Sequence, residues 1–186
     1  MKNIAAGAAM LAWAWIAMPL AQAAPFAEFS TQGLPGSQGL VVRVRHPAAW
    51  KPVETEDGQA LAELRGPEGA LTAILQIGRG ERRDDVAALC APERARTMLQ
   101  DVATREPGTR VTDVFFRPRA QRPAYEVRYE RKLAPEVLVV RSVIVCLKDT
   151  RLVVSCGALA QRKTALAGMD PVCDQVLDSL AIVELP

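Results

Sequence analysis

The chain has 186 residues, 49% of them apolar and 24% charged, with 23 basic against 21 acidic side chains, one histidine and a formal charge of +2. So small a net charge supplies no global field for nucleic acid or an anionic membrane surface. The single His46 leaves one imidazole for any Ser-His-Asp or Cys-His chemistry, and no G-x-S-x-G elbow accompanies it.

The stretch "MKNIAAGAAMLAWAWIAMPLAQAAPF" begins with Lys2, runs apolar from Ile4 to Leu20 and reaches the small-x-small triplet Ala21, Gln22, Ala23, the anatomy of a cleaved secretory signal. Its apolar core is shorter than the roughly 20 residues that span a bilayer. Residues 1–23 are therefore expected to be removed and 24–186 to form a single periplasmic domain without stable membrane insertion. That length supports a core that is stable alone.

Turn-forming residues dominate Pro25 to Gly39, where an extended lead-in is expected. "LVVRVRHPAAW" sets Val42 and Val44 against Arg43 and Arg45, the period of a half-buried strand, and Pro47 pushes His46 out of helical geometry and ends it at the sheet margin. "QALAELRG" and "GALTAILQIGRG" are two further strands joined by the "GPEG" turn. From Arg83 the period becomes helical, with Val86, Leu89, Cys90, Ala95, Met98, Leu99 and Val102 along one stripe. Pro92 is tolerated in a first turn and costs about 3 kcal/mol in an interior, which predicts a short turn before Ala91 and the main helix after it.

"TRVTDVFFRP", "AYEVRYERKL", "EVLVVRSVIVCL" and "RLVVSCGALA" return to strands, the last two with apolar runs that suit central positions covered on both faces. "MDPVCDQVLDSLAIV" reads as a C-terminal helix with Asp170 as N-cap, Pro171 at the first helical position, and Val172, Val176, Leu177 and Leu180 facing the sheet. The whole is α+β: a curved, mainly antiparallel sheet of about six to seven strands with a central and a C-terminal helix packed on it.

"LVVRVRHPAAWK" resembles the strand-Pro-x-x-Trp opening of the PsbP/Mog1-like superfamily, and "VCDQVLDSLAIV" resembles its closing helix. The resemblance implies an αβα sandwich and a binding role without catalysis or cofactor. It carries over no active-site residue.

Cys90, Cys146, Cys156 and Cys173 in an exported chain are read as disulfides. A hairpin turning at Asp149 and Thr150 would oppose Cys146 to Val153 and Cys156 to Val143, which separates the two cysteines by about 13 Å, beyond bonding reach. Both remaining pairings join a strand to a helix, and Cys90 with Cys146 and Cys156 with Cys173 is the favoured one. No C-x-x-C pair or histidine partner supports a metal site or a thiol oxidoreductase.

In "FFRPRAQRPAYEVRYERK", Arg117, Arg119, Arg122, Arg128 and Arg131 are interleaved with Phe115, Phe116, Tyr125 and Tyr129, a composition enriched at interface hot spots. Alternation sends Tyr125, Val127 and Tyr129 to the core face and Glu126, Arg128 and Glu130 to the other. An acidic protein partner fits this segment, and a solvated hairpin tip is the plain alternative. The leading expectation is a non-enzymatic periplasmic protein-binding module, for example an inhibitor or immunity protein against an exported toxin. The alternatives are a small-ligand or lipid-binding envelope accessory protein using the concave sheet face, and a hydrolase built on carboxylates such as Asp84 with Asp85 or Glu54 with Glu56 and Asp57.

Overall fold

The computed structural model describes residues 25–37, 39–55, 60–67, 71–80, 85–105, 107–160 and 168–184. The expected signal segment, 1–23, lies outside them, as do Glu56, Asp57 and Asp84. In chain order the elements are β1 (Phe26–Ser30), a 3-10 turn (Pro35–Ser37), β2 (Leu40–Pro47), β3 (Lys51–Val53), β4 (Ala60–Arg65), β5 (Leu71–Arg79), α1 (Val86–Leu89), α2 (Pro92–Arg105), β6 (Thr109–Phe116), β7 (Ala124–Leu133), β8 (Glu136–Cys146), β9 (Arg151–Ala160), α3 (Met169–Asp178) and β10 (Ala181–Glu184).

Seven strands form one antiparallel sheet in the order β3-β4-β5-β9-β8-β7-β6. The expected strand count holds, but its membership does not. β2, read as part of the main sheet, instead joins β1 and β10 in a separate three-stranded sheet. That sheet and α3 share one face of the main sheet, where Val42, Val44, Leu64, Leu75, Val143, Val154, Val176 and Leu177 form the larger core. On the opposite face α1 and α2 supply Val86, Cys90, Ala95 and Leu99 against Tyr125, Val127, Ile144 and Cys146. Leu89, Met98 and Val102 belong to these helices by position, and their side chains are outside the description. β8 and β9 are central and covered on both sides, as their apolar runs require.

The Pro-x-x-Trp signature closes a turn, since the Trp50 amide donates to the Pro47 carbonyl at 2.9 Å, and Trp50 packs on Gly66 where a Cβ would come within 3.1 Å of its Nε1. At the other end of the chain the Ser179 hydroxyl donates to Val176 O at 2.7 Å and accepts the Arg45 amide at 2.7 Å, which ties α3 to β2. The helix starts earlier than expected: Gly168 occupies the N-cap without a side-chain bond, and Asp170 lies inside the first turn, where its charge suits the helix dipole. His46, expected half-solvated at a sheet margin, is buried at 6% exposure with Nδ1 donating to the Pro47 carbonyl, because β1 covers it through the Ala27–His46 pair.

Both disulfides are present, Cys90–Cys146 and Cys156–Cys173. The β8–β9 turn lies two residues' worth of register from the expected one, pairing Cys146 with Arg151 and Cys156 with Arg141. Its hinge is Lys148–Asp149, closed by the Leu147 amide on the Thr150 carbonyl at 2.9 Å. An even shift preserves the faces, so Cys146 still points to α1 and α2, Cys156 to α3, and the two remain far apart along the hairpin.

Candidate functional site

Glu126 was expected on an outward strand face, yet it is buried at 3% exposure, because that face lies under α3 and the hairpin tip. A carboxylate so placed demands cationic partners, and four arginines supply them. Arg141, the single charge within the apolar run of β8, places Nη2 at 2.7 Å and Nε at 3.1 Å from Glu126 Oε1. Arg117 and Arg119 reach Oε2 at 3.4 and 3.3 Å, and the Arg128 Nε stands 3.6 Å from Oε1. Helix α3 adds the outer ring: Asp174 meets Arg141 Nη1 at 2.7 Å, and Asp178 contacts both Arg119 and Arg117.

Burial pushes the Glu126 pKa up, but the hydrogen bonds and charge of Arg141, joined by Arg117 and Arg119, outweigh it and hold the carboxyl below its ordinary range. Arg141 is likewise held charged: burial opposes its charge, and the bonds to Glu126 and Asp174 prevail. A general acid needs the opposite shift, a carboxyl raised toward neutral pH. The arrangement is suited to fixing guanidinium groups in place. Glu54 and Asp85, the described members of the acidic pairs, are exposed. Among the described residues no three His, Cys, Asp or Glu side chains form a metal-binding group, and no helix is long and apolar enough to cross a membrane.

The β6–β7 tip that carries these arginines is a two-residue loop. The Arg119 and Arg122 amides exchange hydrogen bonds at 3.0 and 2.9 Å, while Ala120 and Gln121 adopt φ of 47° and 61°. This is the turn that Asn-Gly satisfies best, and a side chain in the left-handed region costs about 1–2 kcal/mol per residue. The anchoring of Arg119 to Asp178 and Glu126 holds the turn down. The outer rim stays open: Phe115 is 44% exposed, with the Arg128 guanidinium 5.5 Å from its ring centroid, and Arg117 has about half its side chain in solvent. A cleft of about 230 Å³ lies among Phe115, Arg117, Arg128, Arg141 and Asp174.

The five arginines singled out in the sequence are thus divided. Arg117, Arg119 and Arg128 converge on Glu126, Arg122 sits at the tip, and Arg131 lies on the opposite face beside Tyr129 and Leu138. Sequence reasoning missed Glu126, Arg141, Asp174 and Asp178. The available signal was Arg141 itself, a lone charge in "VLVVRSVIVC" that has to be neutralised once the strand is central.

Among the described residues the face toward α2 carries further clefts, of about 320, 230 and 230 Å³, which adjoin one another through Leu99, Ile144, Val153, Tyr129 and Leu138. Ser142 and Ser155 share a 2.8 Å hydrogen bond between the central strands on this face. Burial raises the pKa of Tyr125, which lines the cleft of about 320 Å³, and outweighs the nearby Arg151, which pulls the other way.

No protein-family model and no curated protein matches the chain. Solved structures do. Cyanobacterial PsbP (CyanoP) from Synechocystis superposes with a TM-score of 0.57 at 11% identity, over 89% of this chain and 97% of that one. LpqN of Mycobacterium tuberculosis, involved in cell envelope biogenesis, gives 0.53 at 13% over 87% and 92%. The Saccharomyces cerevisiae Ran-binding protein Mog1p gives 0.53 at 9% over 87% and 97%. Such identities speak to architecture alone, and on that ground the chain has the PsbP/Mog1-like fold.

Proposed function

We propose that the chain is a non-enzymatic binding protein of the cell envelope, exported behind a signal at residues 1–23 and acting through the single domain 24–186. The reading rests on the buried Glu126, which holds Arg117, Arg119 and Arg128 in fixed orientations beside the exposed Phe115. Arginines ordered before binding lose little rotamer freedom on contact, so a protein partner with an acidic, aromatic-tolerant surface fits this rim. Two disulfides accord with an oxidising compartment, and the Ran-binding role in Mog1p's name shows that this fold can serve protein recognition elsewhere. Inhibition of an exported toxin, as an immunity factor does, is one specific form of the reading.

The test is cross-linking and co-purification from the periplasm of the native and Arg117→Glu/Arg128→Glu forms. A partner should be lost with the charge reversal while the circular dichroism of the variant stays native, although its thermal midpoint falls because both arginines also neutralise the buried Glu126. Recovery of free protein alone under gentle conditions counts against the reading. Co-expression with a neighbouring exported toxin, scored as survival, tests the immunity form.

The cleft of about 320 Å³ on the α2 face favours a second reading, a small-ligand or lipid-binding accessory role, since its volume reaches the lower end of the range of small-molecule sites and two smaller clefts adjoin it. An apolar fluorescent probe should be retained by the native chain and released by Leu99→Trp, which fills the wall that the 320 Å³ cleft shares with its neighbour. Equal retention by both removes this reading.

A further inference from the structure

We propose that the open edge of β6 pairs with the same edge of a second copy of this chain, antiparallel about a two-fold axis at Phe115. Among the described strands β6 ends the main sheet and has a neighbour on one side only. The Arg117 amide donates to the Ala124 carbonyl at 3.2 Å, which sets the phase of the ladder. Residues alternate, so Asp113, Phe115 and Arg117 direct their amides and carbonyls to β7, and Val114 and Phe116 direct theirs to the open edge.

The usable edge has firm ends. A bulge interrupts the register between Val111 and Asp113, and Pro118 has no amide to offer. What remains is Asp113 to Arg117, whose centre is Phe115. Antiparallel pairing of two such segments about that centre brings Val114 opposite Phe116 of the second copy, both with outward amides and carbonyls, as a hydrogen-bonded pair requires. The same register sets Asp113 against Arg117 twice and Phe115 against its own counterpart.

Charge decides against the alternatives. Sliding one copy by two residues places Asp113 or Arg117 against Phe115, and sliding by four places Asp113 on Asp113 or Arg117 on Arg117. Only the centred register matches both charges and covers Phe115, an exposed large apolar side chain of the described surface. Arg117 reaches Glu126 and Asp178 through Nη2 at 3.4 and 3.6 Å and has about half its side chain in solvent, so it can serve a cross-strand aspartate without leaving the cluster.

This inference rests on the reading of the hairpin flank as an interface, and names a second copy as what covers it. Sedimentation equilibrium of the exported protein should show a concentration-dependent dimer. Asp113→Arg and Arg117→Asp should each weaken it by about tenfold or more. The combined Asp113→Arg/Arg117→Asp variant should restore it, because the exchanged charges again face each other. Phe115→Cys should cross-link two chains under mild oxidation, since Cα atoms in a non-hydrogen-bonded pair stand about 4.5 Å apart, within disulfide reach. Circular dichroism checks that each variant is folded.

A monomer at submillimolar concentration, a combined variant no better than the single ones, or a Phe115→Cys chain that does not cross-link overturns the proposal. So does a monomer whose β6 amides gain exchange protection only when periplasmic extract is added, because a foreign strand then takes the edge. The two ideas fail separately. A dimer rescued by charge exchange that captures nothing else sinks the foreign partner, whereas a monomer that captures a protein through Arg117 and Arg128 sinks the self-pairing.

Discussion

Glu126 Oε1 accepts from two nitrogens of Arg141, at 2.7 and 3.1 Å, and both residues are almost wholly removed from solvent. Removing one partner of a buried pair leaves the other charged and unmatched, which typically costs about 3–5 kcal/mol. Glu126→Gln should therefore destabilise the fold by about 3 kcal/mol in urea unfolding, since Asp174 still serves Arg141. A change below about 1 kcal/mol would mean that water already solvates the pair.

The same carboxylate makes stability depend on acid. Its pKa is lower in the folded chain than the ordinary 4.5, so the stabilisation is complete above that value and is lost as pH falls through the folded one. Unfolding free energy should fall more steeply below pH 4.5 in the native chain than in Glu126→Gln. Parallel acid limbs in a series of denaturant titrations would show that Glu126 binds its proton equally well in the folded and unfolded chains.

Arg119 joins the hairpin tip to Asp178 at the end of α3, and 13% of its side chain is exposed. Asp178 is more than half exposed, so the pair is worth less than the Glu126 hub. Arg119→Ala should cost about 1–2 kcal/mol, and it should raise hydrogen exchange at Ala120 and Gln121, whose left-handed conformations depend on the anchor. Unchanged exchange there would separate the turn from the ion pair.

Gly157 sits in β9 where a Cβ would come within 2.3 Å of the Val139 carbonyl and 2.9 Å of the Val140 Cα. Backbone cannot swing aside as a flexible side chain does. Gly157→Ala should cost about 1–3 kcal/mol or more, read as a lowered thermal midpoint, with Gly80→Ala as the mild comparison because its nearest backbone atom is 3.5 Å away.

The sequence was most legible where one rule governs one segment. β7 and β9 have the bounds that alternation and turn residues assign, and the break at Pro92 divides α1 from α2 as a proline must. β1, β3 and β10 were missed as strands because five, three and four residues hold too few periods to register, and β3 contains Pro52. Alternation also told correctly that Tyr125 and Glu126 face opposite ways, but it does not say what lies above each face. Whether the Glu126 side meets water or α3 depends on residues more than forty positions further on, and no local pattern carries that. The arginine segment was visible as composition, while its division between the Glu126 cluster and the α2 face follows from parity once both faces are known to be covered.

Each sulfur bridge lies on its own side of the main sheet, Cys90–Cys146 under the α2 layer and Cys156–Cys173 under α3. The hydrogen-bonded backbone of β8 and β9 stands between them as a wall. Thiolate exchange needs sulfurs to touch, so the two bonds cannot trade partners while those strands stay paired. The folded chain is its own guard against scrambling, and only a partly unzipped hairpin gives an isomerase anything to correct.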